Sequence, residues 1–287
     1  MQRSLRRLTL FLSAVLALAV TTLTVTPASA APGHSDGSSN RVIFVHGFAP
    51  TGKHDCAKYF SDARTHFKNK NWRGNLLTFG YYKGDKNCSY TYKNGTRNKS
   101  LNTVAKVFAN YVSDNYSKKG DKVDVVAHSM GGLIVRAALY HSSKGTPGFP
   151  KKLYIEDVVT LGTPHGGTKA GYACSRLFAQ CKEMKPRSAF LKSLGTTMPK
   201  HNRRSGWTTD WTTVSSYNDG VVSEASGIAG VAKHEVQYKA GISHNELKTV
   251  DTGRHKSRIK HSHWSAWSLR VSPVEQARQA VLFHSTT

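Results

Sequence analysis

The chain has 287 residues, of which 41 are Lys or Arg and 17 are Asp or Glu, so its formal net charge is +24. Such a charge can indicate a nucleic acid partner, but the basic residues are scattered and no nucleic-acid motif accompanies them. The length allows one large domain with a sizeable core. The chain has no CxxC pair, which disfavours a zinc site built from cysteines.

The first thirty residues have the pattern of an export signal. Three arginines precede a long apolar run, and Ala28-Ser29-Ala30 fits the small-x-small cleavage pattern. We predict a signal peptide at residues 1–30, a flexible lead at 31–40 and one catalytic domain at 41–287. Without the three arginines the balance is 38 basic against 17 acidic residues, or +21. For a secreted protein this charge favours attraction to anionic surfaces or lipid interfaces, although a merely solvated basic surface is the alternative.

Short apolar runs alternate with helical patterns along the predicted domain. The runs lie at residues 41–45, 76–79, 123–126, 154–161, 212–217 and 236–242, and helical spacing occurs at 104–112, 133–140 and 273–283. Residues 83–99 are rich in Gly, Asn and Lys and should form an exposed loop. This alternation predicts an α/β fold whose mostly parallel central sheet has helices on both faces.

Four cysteines allow three pairings in an oxidising destination. We favour Cys56–Cys88 and Cys174–Cys181, because each bond would close one insertion locally. Each would contribute about 2–4 kcal/mol by loop-closure arithmetic.

The sequence VVAHSMGG at residues 125–132 has the pattern of a nucleophile elbow. Such an elbow needs a strand, a very tight turn that lifts a serine above the sheet edge, and a helix that starts at once. The turn has room only for small residues two positions before and after the serine, here Ala127 and Gly131. The motif therefore predicts Ser129 as a catalytic nucleophile, with a Ser-Gly turn of purely geometric role as the alternative.

A second motif, FVHGF at residues 44–48, ends the first predicted strand. In folds with a nucleophile elbow, the turn after such a strand supplies one backbone N–H of the oxyanion hole. The residue after the nucleophile supplies the other. We therefore predict the amides of Phe48 and Met130 as the donors. A structural turn is the alternative for so short a motif.

A serine hydroxyl needs a neighbouring base before it can attack a carbonyl. The chain order in this architecture is serine, acid, histidine. His244 directly follows the last predicted strand and is the predicted base, although a structural histidine could also stand there. None of the rival histidines directly follows a clear strand pattern. They are His234, His255, His261 and His263.

The predicted acid is Asp219, which follows the strand at 212–217 and enters a glycine turn. An ordinary Asp-Gly turn is the alternative. Asp210 is the main competitor, but it precedes that strand and should lie at the opposite edge of the sheet. Glu224 and Asp251 are weaker candidates.

Five segments together resemble secreted bacterial triacylglycerol lipases, especially the Ala-x-Ser-x-Gly lipases of bacilli and actinomycetes. These segments are VIFVHGF, VVAHSMGG, LGTPHGG, NDGVV and GISHNE. The resemblance covers about residues 41–250, except the insertions near 83–99 and 168–210. It implies the α/β-hydrolase fold, ester hydrolysis and a triad at Ser129, Asp219 and His244. Family members that have alanine two positions before the nucleophilic serine often lack a large lid and structural calcium. In this chain, by contrast, residues 168–210 could form a cap.

We therefore expect a secreted carboxylic-ester hydrolase, a lipase or esterase, that forms an acyl-serine intermediate. It should act on an ester or lipid substrate as a monomer, with no cofactor, no metal and no nucleic acid partner. One alternative is an acyltransferase on the same scaffold. The other is a non-catalytic protein that binds anionic cell surfaces, against which the intact set of serine, acid and histidine argues.

Overall fold

The computed structural model describes residues 31–284, so the predicted signal peptide at 1–30 lies outside the described residues. Strands and helices alternate along most of this range, as the sequence pattern predicts. The strands are β1 (Arg41–Val45), β2 (Leu76–Gly80), β3 (Tyr90–Thr91), β4 (Val123–His128), β5 (Ile155–Leu161), β6 (His201–Asn202), β7 (Trp207–Thr208), β8 (Asp210–Ser216), β9 (His234–Tyr238), β10 (Arg254–Lys260) and β11 (Ser268–Val271). The helices are α1 (Cys56–Tyr59), α2 (Ser61–Asn69), α3 (Leu101–Asn115), α4 (Met130–Lys144), α5 (Ala170–Cys174), α6 (Ala179–Glu183), α7 (Ala189–Ser193), α8 (Glu224–Gly227) and α9 (Pro273–Leu282).

The central sheet has nine strands in the order β11-β10-β9-β8-β5-β4-β1-β2-β3. From β9 to β3 every neighbouring pair is parallel, whereas β10 and β11 are added antiparallel. The mostly parallel sheet confirms the predicted fold class. The sequence pattern missed β10 and β11 because their residues are largely charged and only partly buried, so they form no apolar run.

The sheet separates two apolar cores because successive strand residues point to opposite faces. On β1, Ile43 packs into the core that contains α3 and α4, whereas Phe44 packs into the core with α2 and α9. Strands buried on both faces are apolar at nearly every position, which is why β1, β4 and β5 were visible in the sequence. Helices therefore cover both faces, as predicted.

Both predicted disulfides are present: Cys56–Cys88 ties the first insertion to α1, and Cys174–Cys181 closes a short loop within the second. Residues 83–99 are mostly loop and mostly exposed, as expected, but part of the segment is ordered against the sheet. Tyr90–Thr91 form β3, and Asp85 is 9% exposed. The loop is held because Asp85 accepts hydrogen bonds from the backbone of the neighbouring turns.

The segments at 31–40 and 168–210 both contact the rest of the domain. In the predicted lead, the backbone N–H of Ser35 and the side chain of Asn40 donate to Glu156. The predicted cap segment contains α5, α6, α7 and the two-stranded β6–β7 hairpin. Within residues 31–284, no helix is both long and apolar enough to cross a membrane.

Candidate active site

A one-residue turn between β4 and α4 presents Ser129 at the carboxyl edge of the sheet. Its backbone has φ 54° and ψ −132°, a conformation that side-chain-bearing residues rarely adopt. The Ser129 amide donates to the Leu161 carbonyl at 2.9 Å, which holds the turn in place. A Cβ on Gly131 would lie 2.4 Å from the Val45 carbonyl oxygen. Glycine is required there because the end of β1 packs directly against the start of α4.

Three distant parts of the chain meet at this turn. His244 Nε2 lies 3.0 Å from Ser129 Oγ, and His244 Nδ1 lies 2.7 Å from Asp219 Oδ2. The other carboxylate oxygen of Asp219 accepts the amides of Val221 and Val222 at 2.8 and 2.9 Å. Since a carboxylate only accepts, Nδ1 carries the proton and Nε2 is left to accept the serine hydroxyl proton.

The loop that carries His244 differs from its predicted form. The expectation that His244 directly follows a strand is wrong, because β9 ends at Tyr238 and His244 comes six residues later. The Ser216 hydroxyl at the end of β8 donates to the Ile242 carbonyl, and the Ser243 amide donates to Glu246 at 2.7 Å. These bonds fix the position of a histidine that no strand holds.

The rival acid and two of the rival histidines lie elsewhere. Asp210 is the first residue of β8, at the amino edge of the sheet, and its Oδ2 lies 3.1 Å from His234 Nε2. His234 Nδ1 in turn contacts His261 Nδ1 at 2.5 Å. This group is therefore separate from Ser129.

The turn after β1 packs against the nucleophile. A Cβ on Gly47 would lie 2.8 Å from Ser129 Cβ, and Phe48 lines the same cavity as Ser129. Met130, the first residue of α4, is fully buried. Among the described residues, no hydrogen bond engages the backbone amide of Phe48 or of Met130. Both amides are therefore able to donate to a bound oxyanion.

A hydrogen-bonded relay behind the triad was not predicted from the sequence. The Gly47 amide donates to Tyr59 Oη at 3.2 Å, and Tyr59 Oη donates to His128 Nδ1 at 2.6 Å. His128 Nε2 then donates to the His244 carbonyl oxygen at 2.8 Å. Burial raises the pKa of Tyr59, and burial together with nearby His244 lowers the pKa of His128 well below its usual value. Both groups therefore stay neutral at pH 7, which these donor and acceptor roles require.

A second network holds the same turn from the side of the first insertion. His46 Nε2 lies 2.8 Å from Asp85 Oδ2, and the His46 ring stacks on Tyr81 with centroids 4.1 Å apart. Tyr81 Oη donates to the Gly47 carbonyl oxygen at 2.6 Å. Burial raises the pKa of Asp85, but the hydrogen bond and charge of His46 together with the backbone amides of Tyr82 and His54 lower that pKa below the usual value. The only sequence signal for this pair was the His46-Gly47 motif itself.

Ser129 and His244 open into a cavity of about 340 Å³. Most of its wall is apolar, and residues 168–210 supply one side of it. Besides Ser129 and His244, the cavity is lined by Phe48, Pro50, Pro164, Thr168, Ala170, Gly171, Cys174, Met184, Val221, Val222 and Asn245.

One family model matches most of the described chain. The model of a family described as PGAP1-like alpha/beta domain matches residues 36–230, a range that contains Ser129 and Asp219 and ends before His244. No curated protein sequence matches the chain.

Solved structures with low sequence identity are similar to part of the chain. Phospholipase PlaB from Legionella pneumophila, in complex with thio-NAD, has 18% identity and a TM-score of 0.43, with 66% of this chain and 44% of that one covered. The lipase BlEst2 from Bacillus licheniformis, in mature form, has 19% identity and a TM-score of 0.45, with 69% and 83% covered. The esterase Pf2001 from Pyrococcus furiosus has 18% identity and a TM-score of 0.43, with 75% and 76% covered. The matched part of this chain thus spans less than half the length of the Legionella phospholipase.

Proposed function

We propose that this chain, which belongs to the family of PGAP1-like alpha/beta domains, hydrolyses carboxylic esters through an acyl-serine intermediate. The observation that carries the proposal is the contact of His244 with Ser129 on one side and with Asp219 on the other, at 3.0 and 2.7 Å. Such a constellation activates an otherwise weak serine nucleophile.

In the first half of the reaction, His244 takes the hydroxyl proton of Ser129 as Oγ attacks the ester carbonyl carbon. The carbonyl oxygen becomes an oxyanion, which the amides of Phe48 and Met130 stabilise. Each donor contributes about 10²–10³-fold in rate. The protonated imidazole then gives its proton to the leaving alcohol, and the acyl group stays on Ser129.

In the second half, His244 takes a proton from a water molecule, whose oxygen attacks the acyl carbon. Collapse of the second tetrahedral intermediate releases the carboxylic acid and returns the proton to Ser129. Asp219 keeps Nδ1 protonated throughout, because Oδ2 accepts from Nδ1 while backbone amides hold Oδ1 in place. This tautomer leaves Nε2 free to exchange the proton with Ser129.

The substrate class follows from the cavity wall. Its apolar lining favours an uncharged acyl chain, and its volume of about 340 Å³ is at the small end for ligand pockets. We therefore propose short to medium acyl esters as substrates. A series of C2 to C18 acyl esters tests this assignment, and fastest turnover of the longest chains would contradict it.

The central experiment is hydrolysis of a p-nitrophenyl acyl ester by the wild type and Ser129→Ala. We expect kcat to fall by about 10⁴–10⁶-fold in the variant. Ser175→Ala is the matched control, since Ser175 lies on the cap segment and its hydroxyl bonds only to the Tyr172 carbonyl.

A serine-directed phosphonate supplies an independent measurement. Mass spectrometry should find one label on Ser129 in the wild type and none in Ser129→Ala. An unlabelled wild type that also fails to turn over esters would contradict the proposal and favour the non-catalytic alternative.

We also propose that the protein is secreted and attracted to anionic surfaces. The two disulfides and the excess of basic residues support this proposal. N-terminal sequencing of protein from the culture medium should begin at Ala31. Binding to anionic vesicles should weaken as salt is raised, because exposed charges are screened.

A further inference from the structure

The amino edge of the central sheet, opposite Ser129, carries a group of acidic residues that the proposed reaction does not use. Asp124 lies near the start of β4, Asp157 near the start of β5, and Asp210 is the first residue of β8. His284, which follows α9, places Nδ1 2.9 Å from Asp157 Oδ1. The Asp157 amide also donates to Asp124 Oδ1 at 3.3 Å.

Two of these carboxylates have an oxygen that lacks any partner. Asp124 is fully buried and Asp157 is 2% exposed, yet Oδ2 of each makes no hydrogen bond within the described residues. A buried carboxylate oxygen without a partner is costly, and native proteins remove the cost by protonation, with a donor or with a metal ion. Burial and nearby Glu156 raise the pKa of Asp157 to about 9, so a bound cation would have to displace a proton there. Lys122, whose charge acts on Asp157, pairs directly with Glu156 at 2.7 Å.

The geometry of the group fits a metal ion. One ligand atom each from Asp157, Asp210 and His284 lie within 4.8 Å of one another. Ligands at about 2.0–2.2 Å from a shared ion are at most about 4.4 Å apart, so only a small contraction is needed. Asp157 also belongs to a second such group, with Asp124 and Glu156. His284 likewise belongs to a further group, with His34 and Glu156, so Asp157 and His284 are each shared between two groups.

Access to the group is open from one side. A cavity of about 230 Å³ is lined by Asp210 and His284, the two outer members of the first group. Lys200 and Lys233 also line it, and their charge weakens the attraction of a cation. On the inner side His234 donates to Asp210 at 3.1 Å, which orients that carboxylate.

We propose that Asp157, Asp210 and His284 bind one divalent transition-metal ion of the Zn²⁺ type at the amino edge of the sheet. The imidazole ligand favours such an ion over Ca²⁺ or Mg²⁺, which prefer oxygen ligands alone. The ion joins the residue after α9 to β5 and β8, and it lies at the edge opposite the nucleophile. Its role is therefore structural, and ester hydrolysis does not depend on it.

The test uses the secreted protein without a histidine tag, freed of metal by a chelator. Titration with Co²⁺, a spectroscopic substitute for Zn²⁺, should show one bound equivalent through its visible absorption. With Zn²⁺ at a hundredfold excess over Kd, Tm should rise by about 5–10 °C.

Asp157→Asn and His284→Ala should each weaken Co²⁺ binding by at least about tenfold and lose the Zn²⁺-dependent rise in Tm. The matched control is Asp114→Asn, whose carboxylate is exposed and pairs with Lys118. If Asp157→Asn does not fold, His284→Ala decides, because its side chain lies at the rim of the group and is 16% exposed.

Failure of the wild type to bind Co²⁺ or Zn²⁺ would overturn the proposal. So would binding that both variants retain, or stronger binding of Ca²⁺ than of Co²⁺. Ester hydrolysis is measured on the same samples, and we expect it to be unchanged by the chelator and by His284→Ala.

Discussion

At each edge of the central sheet a histidine faces a carboxylate, but the two carboxylates differ in how they are satisfied. At the carboxyl edge, Asp219 accepts the His244 ring and two backbone amides. At the amino edge, Asp157 accepts the His284 ring through one oxygen, while the other oxygen has no partner. Asp219 lies in a turn whose own amides point towards it, whereas Asp157 lies within a strand whose amides are committed to neighbours. The turn therefore completes Asp219 from its own backbone, whereas β5 leaves one oxygen of Asp157 without a hydrogen bond among residues 31–284.

The largest expected effect concerns the acid at the carboxyl edge. Asp219→Asn should lower kcat for a p-nitrophenyl ester by about 10⁴-fold, because the amide no longer enforces the required tautomer of His244. Asp157→Asn is the comparison at the other edge and should leave kcat within about twofold. Equal losses of activity in the two variants would show that the edges are not separate in function.

The next effect concerns the tight packing that the carboxyl edge demands. Gly131→Ala should lower the free energy of unfolding by more than about 3 kcal/mol, because the added methyl group meets the Val45 and His46 carbonyl oxygens. Gly33→Ala is the matched control, since a Cβ there meets no atom within 4 Å. Urea unfolding measures both variants. A Gly131→Ala protein of wild-type stability would contradict the close approach of β1 to α4.

A smaller effect is expected for the relay behind the triad. Tyr59→Phe leaves the Gly47 amide and His128 Nδ1 without partners, so it should destabilise the protein by about 1–3 kcal/mol. It should also lower kcat about tenfold with little change in KM, because the His244 backbone loses its support. Tyr172→Phe, on an exposed residue of the cap segment, should change neither quantity. A stability loss without any change in kcat would limit the relay to a structural role.

The smallest effect is a dependence of stability on pH from histidines near the carboxyl edge. Burial, together with the smaller effect of nearby His46, lowers the pKa of His54 to about 4. Because the unfolded state then binds more protons between pH 4 and 6.5, stability should be full above about pH 6.5 and fall as the pH is lowered. Tm should therefore be a few degrees lower at pH 5 than at pH 7.

His54→Gln checks this origin, because the glutamine side chain does not titrate. The difference in Tm between pH 5 and pH 7 should shrink in this variant. An unchanged difference would assign the acid sensitivity to other groups, such as His128 and His165, whose pKa values are also lowered by burial.

Features that depend on neighbours along the chain were predictable from the sequence. Strands β1, β4 and β5 are buried on both faces, so each appears as an apolar run. The turn at Ser129 needs small residues two positions away, and that requirement is also local. Both disulfides follow from closing short segments of chain. By contrast, β10 and β11 were missed because one-sided, charged strands leave no such run.

The sequence by itself determined the parallel α/β sheet and the strained turn of the nucleophile, because local spacing and turn chemistry specify them. It also named the candidate acid and base through their order in the chain, although the strand expected before His244 ends six residues earlier. Only the tertiary structure decided that Tyr59 and His128 support the His244 backbone, and that Asp157 meets Asp210 and His284 at the far edge. These residues are separated by long stretches of chain. Their contacts arise from the order in which strands enter the sheet, which no local pattern encodes.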